Sequence, residues 1–254
     1  MDLLCHQPRA ECRKDAQSAR QLEAQGLPWR RIDAVNGWEL SEDEIARVYD
    51  ARANARRGKY PLVPAEIGCY LSHIEAWRAI AASDQPGGFI FEDDFAANGT
   101  LGPVLRALVE DEPRDWDMVK LFFLRRQSTH PCQPPAGAGF PHRGARQGAH
   151  LPDRLWAQAR GGGASGFARP ALFFRPVDED QKFFWETGLR VALVLPPPIE
   201  VGDQQAETGT IGNARRAATA GRSRLRQGLH GALYQLRYRV LLRWHRWRGT
   251  GLNR

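Results

Sequence analysis

Three carboxylic acids in a row, Glu92-Asp93-Asp94, follow directly on an apolar run, Phe89-Ile90-Phe91. Like charges held together repel, so such a cluster is either bathed in water or holds a cation. A hard divalent ion such as Mn2+ or Mg2+ takes carboxylate oxygens well. It can then bridge the two phosphates of a nucleotide diphosphate and neutralise the charge that develops as a sugar leaves. An isolated acidic triplet is a weak motif, and a solvated strand end without metal also accounts for it.

The elements around the triplet set its position. Phe89-Ile90-Phe91 comes after Pro86-Gly87-Gly88 and reads as a short buried strand. In open α/β sheets ligands sit beyond the carboxyl ends of strands, where this cluster falls. Other strand candidates are Asp2 to Cys5, Trp29 to Val35, Met118 to Leu124, and Val191 to Leu195, the last stopped by Pro196-Pro197-Pro198. Gln17 to Gln25 reads as a helix ended by Gly26, and Ser41-Glu42-Asp43-Glu44 as a capping box that starts another. Pro64 suits the first turn of a helix in which Ile67, Tyr70, Leu71, Ile74, Trp77 and Ala81 recur at three- and four-residue steps. On its wheel Ser72 falls opposite the apolar stripe and His73 at the edge. Either could bond a nucleotide or orient a carboxylate; equally, Ser72 is a surface residue and His73 a half-buried one bonded to a carbonyl. Alternating helices and short buried strands predict an α/β fold with an open sheet. Thr129 to Gly148, rich in Pro, Gly and Ala, reads as a long loop, either a lid or a solvated insertion.

The pair Gly68-Cys69-Tyr70-Leu71-Ser72-His73 and, 19 positions after His73, Glu92-Asp93-Asp94 resembles the two best-marked motifs of glycosyltransferase family 25. That family includes bacterial lipopolysaccharide and lipooligosaccharide galactosyltransferases and the collagen galactosyltransferases. Ala34-Val35-Asn36-Gly37, Trp116-Asp117-Met118-Val119-Lys120-Leu121, Pro176-Val177-Asp178 and Thr208-Gly209-Thr210-Ile211 are similar to further segments, in order, over roughly residues 10 to 215. The resemblance implies a GT-A-like open mixed sheet flanked by helices, a UDP-sugar donor (UDP-galactose for many members), Mn2+ or Mg2+, and transfer with inversion. Glu92 and Asp94 would then be the metal ligands. Arg9, Arg13, Asn36, Gly37, Ser72, His73 and Asp93 would line the donor. Inversion needs one base for the acceptor hydroxyl. Asp178, marked by the Pro-Val-Asp segment, is its first candidate and Asp180 the second; a helix N-cap is the alternative role for Asp178. The chain also departs from the family. Of its Ile-Asn-Leu-x-Arg-x-x-x-Arg opening only Arg9 and Arg13 survive, and Gly166-Phe167-Ala168-Arg169 only echoes another segment. A weakened or inactive member that binds carbohydrate or membrane therefore stands as a second expectation. A glycoside hydrolase, the third, needs two separated acids and gives no reason for three adjacent ones.

At 254 residues with 42% apolar and 26% charged residues, the chain can bury one sizeable core. The four cysteines form no CxxC pair, so neither a zinc site nor a disulfide framework is expected. No apolar run reaches membrane-spanning length, and Met1 to Ala10 is too short and polar for a signal peptide, so the expected compartment is cytoplasmic. The net charge of +7 is unevenly placed: residues 213–254 hold 11 Arg and no acid, which leaves −4 (7 less 11) for residues 1–212. The expected division is thus a catalytic domain over 1–212 and a basic helical tail over 213–254. In the tail Leu225, Leu229, Leu233, Leu236, Val240, Trp244 and Trp247 keep a helical period among arginines. That pattern suits an anionic membrane surface on the inner face, beside a lipid-linked saccharide acceptor. A helix packed on the domain is the alternative. Nucleic acid is not expected as a partner, because the domain itself is acidic.

Overall fold

A computed structural model of the chain describes residues 2–7, 12–93, 95–111, 116–122, 142–144, 156–159, 172–201, 214–215 and 224–248. Strand β1 (Asp2–Gln7) leads to helix α1 (Cys12–Ala24) and strand β2 (Arg30–Asp33). A 3-10 turn (Gly37–Glu39) and two short helices, α2 (Glu42–Val48) and α3 (Ala51–Arg57), follow. The long helix α4 (Pro64–Ala82) then enters β3 (Gly87–Phe91), β4 (Phe95–Ala97) and α5 (Leu101–Glu110). The remaining strands are β5 (Met118–Lys120), β6 (His142–Gly144), β7 (Trp156–Ala159), β8 (Val191–Val194) and β9 (Ile199–Val201). Between β7 and β8 lie helices α6 (Val177–Lys182) and α7 (Phe184–Thr187), and the described chain closes with α8 (Arg224–Trp247).

The predicted α/β architecture is present. Seven strands form one mixed sheet in the order β2-β1-β3-β7-β5-β8-β6, with β4 and β9 as a separate pair. Strand β1 is parallel to both β2 and β3, and β5 is parallel to β8; β7 runs antiparallel between β3 and β5. The carboxyl ends of β1, β2, β3, β5 and β8 therefore share one edge. Strand β6 lies inside the segment expected as loop 129–148. Its three residues carry no strand signal of their own; pairing with β8 imposes the conformation.

Side chains alternate across the sheet and build two apolar layers. Phe89, Phe91, Val119, Ala192 and Val194 face one side, packed on Leu22 of α1 and on Leu101, Val104, Leu105 and Leu108 of α5. Ile90, Met118 and Val191 face the other, against Ile67, Ile74 and Trp77 of α4. Strand β3 is buried along its whole length, as its unbroken apolar run predicts. Helix α4 is buried around most of its circumference and not on one stripe alone. The expected capping box is formed: the Glu44 backbone N–H donates to Ser41 Oγ and the Ser41 N–H to the Glu44 carboxylate.

Candidate active site at the carboxyl ends of the strands

The neighbour order β2-β1-β3 places the chain's reversal at β1, so the crevice of the sheet opens between the carboxyl ends of β1 and β3. Glu92 and Asp93 leave β3 at that point. Two residues of α1 brace the chain here, one at Asp93 and one at Phe95 and Ala97. Ser18, fully buried, donates from its hydroxyl to the Asp93 carbonyl at 2.9 Å. Gln21 donates to the Phe95 carbonyl and accepts from the Ala97 N–H. Neither residue stands out in sequence, because an amide and a hydroxyl on a polar helix look like solvated residues. Asp94 and Arg9 lie outside the described residues, as do residues 166–169 and 208–211. Arg13 is placed in the first turn of α1.

The motif on α4 resolves into separate jobs. Gly68 lies under the Ala34–Gly37 turn, where a Cβ would come within 2.5 Å of the Gly37 nitrogen and the Val35 carbonyl. A Cβ on Gly37 would in turn meet the Pro64 carbonyl oxygen, so both glycines are required by close backbone approach. Ser72 is not the surface residue that its wheel position predicts. It is 1% exposed, accepts from the Val35 N–H at 2.8 Å and donates to the Gly68 carbonyl at 2.8 Å. Its hydroxyl rivets the turn to the helix and is committed inside the fold. Asn36 at the exposed tip accepts from the Trp38 N–H and donates to Glu39. Glu66 caps α4 by accepting from the Val63 N–H, and its other oxygen pairs with Arg215, whose guanidinium lies over the Tyr60 ring.

His73 is completely buried, more than its wheel position predicts, and its Nε2 lies 3.4 Å from Glu92 Oε1. Burial, reinforced by the nearby Lys120 charge, pulls its pKa down to about 3. The ring is therefore neutral near pH 7, and its contact with Glu92 is dipolar, not an ion pair. Lys120 ends β5 on the side of the sheet that carries Met118, facing the α4 layer. It is buried, and burial together with the Lys182 charge lowers its pKa to about 7, against the opposing pull of Asp178 and Glu179. A lysine within the apolar run Met118 to Leu124 is the sequence sign of this group.

Asp178 and Asp180 sit on the first turn of α6 and do different things. Asp180 accepts from the Tyr70 hydroxyl at 2.7 Å and from the buried Arg175 guanidinium at 2.7 Å. Arg175 also grips Glu186 and stacks between Phe174 and Phe183, so Asp180 belongs to a structural ion-pair network. Asp178 pairs with Lys182 at 3.5 Å, and burial pushes its carboxyl up despite that cation. Lys182 also donates to Glu179 at 2.7 Å, and Glu179 accepts from Tyr234 of α8 at 2.8 Å. Burial alone would depress the Lys182 ammonium; the two carboxylates outweigh it and hold the group above its usual range. Gln181, on the same turn, is 3% exposed, and among the described residues neither amide atom has a hydrogen-bond partner. Burial without a partner costs about 1–3 kcal/mol, which marks it as a group available to a water or a ligand. On α4, burial and then the charges of Glu92, Asp178, Glu66 and Asp93 push up the Cys69 thiol.

These carboxylates are hard oxygen donors, right in class for Mn2+ or Mg2+, which are commonly held by one or two carboxylates plus substrate phosphates. Among the described residues no three potential ligands form a group that would hold a metal by protein alone.

Residues 9–130 match the model of glycosyltransferase family 25 (LPS biosynthesis protein). Over that stretch, just under half of its length, the chain is similar to glycosyltransferase family 25. The stretch holds α4, β3 and β5, and with them Ser72, His73, Glu92, Asp93 and Lys120; the groups of α6 lie beyond it. Among the similar proteins, the human inactive glycosyltransferase 25 family member 3 is 30% identical over 118 residues. Procollagen galactosyltransferase 1-A of Xenopus laevis is 27% identical over 117 residues, and mouse procollagen galactosyltransferase 2 is 27% identical over 118. Each match covers 44% of this chain and 19% of the relative, so the chain aligns with about a fifth of the length of these family 25 proteins.

Proposed function

We propose that this chain transfers a sugar, galactose in the first instance, from a UDP-sugar to a saccharide acceptor of the cell envelope, lipopolysaccharide or lipooligosaccharide. The proposed reaction is metal-dependent and inverting, on a GT-A-like sheet. One observation carries the reading. The acidic run of β3 emerges at the reversal point of the sheet, braced from α1 by Ser18 and faced by a buried neutral imidazole. Glu92 and Asp94 would hold Mn2+ or Mg2+, and a bound metal would neutralise the diphosphate as it leaves. The Asn36–Gly37 turn, locked onto α4 by Ser72, would form one wall of the donor site, and Arg9, Arg13 and Asp93 would bind the donor as the family resemblance implies.

Asp178 is the better base of the two candidates. Its carboxyl is pushed up by burial, which favours proton uptake, whereas both oxygens of Asp180 are engaged by Tyr70 and Arg175. In the step itself the acceptor hydroxyl gives its proton to Asp178. The acceptor oxygen bonds to the anomeric carbon, and the bond to the diphosphate breaks with its electron pair leaving on UDP. Gln181 would orient acceptor hydroxyls. A second reading, an inactive member that binds without turnover, draws on the human relative named inactive. Release of galactose from UDP-galactose by the full chain, with Mn2+ present and then with EDTA, separates the two. Metal-dependent release supports the transferase; none under either condition supports the binder.

A further inference from the structure

Helix α8 has two faces that do unlike things. One face is packed on the domain: Tyr234 donates to Glu179, Tyr238 lies against Phe183 and Trp185, Leu242 is buried, and His245 stacks on Trp185. The opposite face carries Leu229, Leu233, Leu236, Val240, Trp244 and Trp247, between 42% and 82% exposed. At 3.6 residues per turn these six fall within an arc of about 80°. Arg237 and Arg248 line one side of that arc and Arg239 and Arg243 the other, all exposed. A contiguous apolar face of this kind on a globular protein marks an interaction surface.

We propose that α8 docks flat on an anionic lipid bilayer, with its apolar stripe in the headgroup region and the two arginine rows on lipid phosphates. Charge complementarity selects this occupant. No acidic residue follows Glu207 in the sequence, so the helix itself carries no carboxylate to oppose an anionic surface. A second copy of the chain docked face to face would bring arginine rows against arginine rows. Among the described residues no helix is long and apolar enough to cross a membrane, so α8 lies in the plane. Because its other face is tied to α6, the helix acts as a rigid foot and not as a tether: docking it also fixes the orientation of the turn that bears Asp178. The docking surface itself does not rest on the transferase reading.

Sedimentation with vesicles tests this on the full chain. We expect binding to phosphatidylcholine vesicles containing phosphatidylglycerol, little binding to phosphatidylcholine alone, and release by salt as screening shortens the reach of each arginine. The triple variant L233E/L236E/V240E changes exposed positions only, so its thermal unfolding should match wild type while its partition onto anionic vesicles falls at least about tenfold. Replacing Arg237, Arg239 and Arg243 by Gln should remove the preference for anionic lipid. Equal binding of the triple Glu variant, or binding indifferent to lipid charge and salt, would overturn the proposal. So would a wild-type dimer in ultracentrifugation that ignores vesicles and becomes monomeric in the triple variant, because a second copy would then cover the stripe.

Discussion

Ser72→Ala tests whether the motif serine is a rivet or a ligand contact. In the folded chain its hydroxyl accepts from the Val35 N–H and donates to the Gly68 carbonyl, both at 2.8 Å. The alanine loses one net hydrogen bond, worth about 1 kcal/mol, and strands a part-buried backbone N–H at a further ~1–3 kcal/mol. A cost of about 2–4 kcal/mol follows. For a chain of this size each kcal/mol lowers Tm by about 2–4 °C, so the midpoint should drop by roughly 5–15 °C. Differential scanning calorimetry reads that shift, and a UDP titration well below the midpoint reads the donor site. The expected pattern is a clear loss of Tm with donor affinity changed less than about threefold. A Tm within about a degree of wild type, together with tenfold weaker UDP binding, would refute the reasoning and return Ser72 to the ligand.

His73 makes the acid limb of stability steep. The unfolded chain takes up a proton near pH 6.5 that the native ring, held down to about 3 by burial, refuses, so stability is lost as pH falls from 6.5 towards 3. His73→Gln should flatten that limb in urea titrations at a series of pH values, and an unchanged slope would mean the ring protonates in place. Asp178→Asn should keep UDP binding but lower kcat at least about a hundredfold, as loss of a general base commonly does; near-wild-type turnover with a proven acceptor would move the role elsewhere. Asp180→Asn, which weakens the bonds from Tyr70 and Arg175, should instead lower Tm, and a stable Asp180 variant with collapsed kcat would reverse the two assignments.

The strand that delivers the acids was legible because an unbroken apolar run after two glycines has few alternatives to a buried strand. The capping box and Pro64 were legible for a similar reason: local backbone chemistry decides them. Ser72 and His73 were misplaced by the wheel, which assumes one buried stripe, whereas α4 is enclosed by the sheet, by the Ala34–Gly37 turn and by α6. Lys120 and Arg175 escaped notice because hydropathy scores a buried cation as a surface residue, and only tertiary partners keep it inside. In α8 the apolar residues Leu229, Leu233, Leu236, Val240, Trp244 and Trp247 face outward. The packed face is built from Tyr234, Tyr238 and His245, side chains with an apolar body and a polar tip that a hydropathy pattern does not separate from solvent. The tail is accordingly less independent than its charge suggests, since Arg215 and Tyr234 both bond to residues before 212.

Calorimetric titration of UDP into the full chain, with Mn2+ and with EDTA, reaches the central claim most directly when wild type and Asp94→Asn are run side by side. The account predicts saturable binding by wild type in Mn2+, none in EDTA, and none under either condition for an Asp94→Asn chain whose thermal unfolding is unchanged. Metal-dependent affinity that survives in the folded variant, or wild-type binding that is equally tight in EDTA, would contradict a metal–diphosphate site at the end of β3.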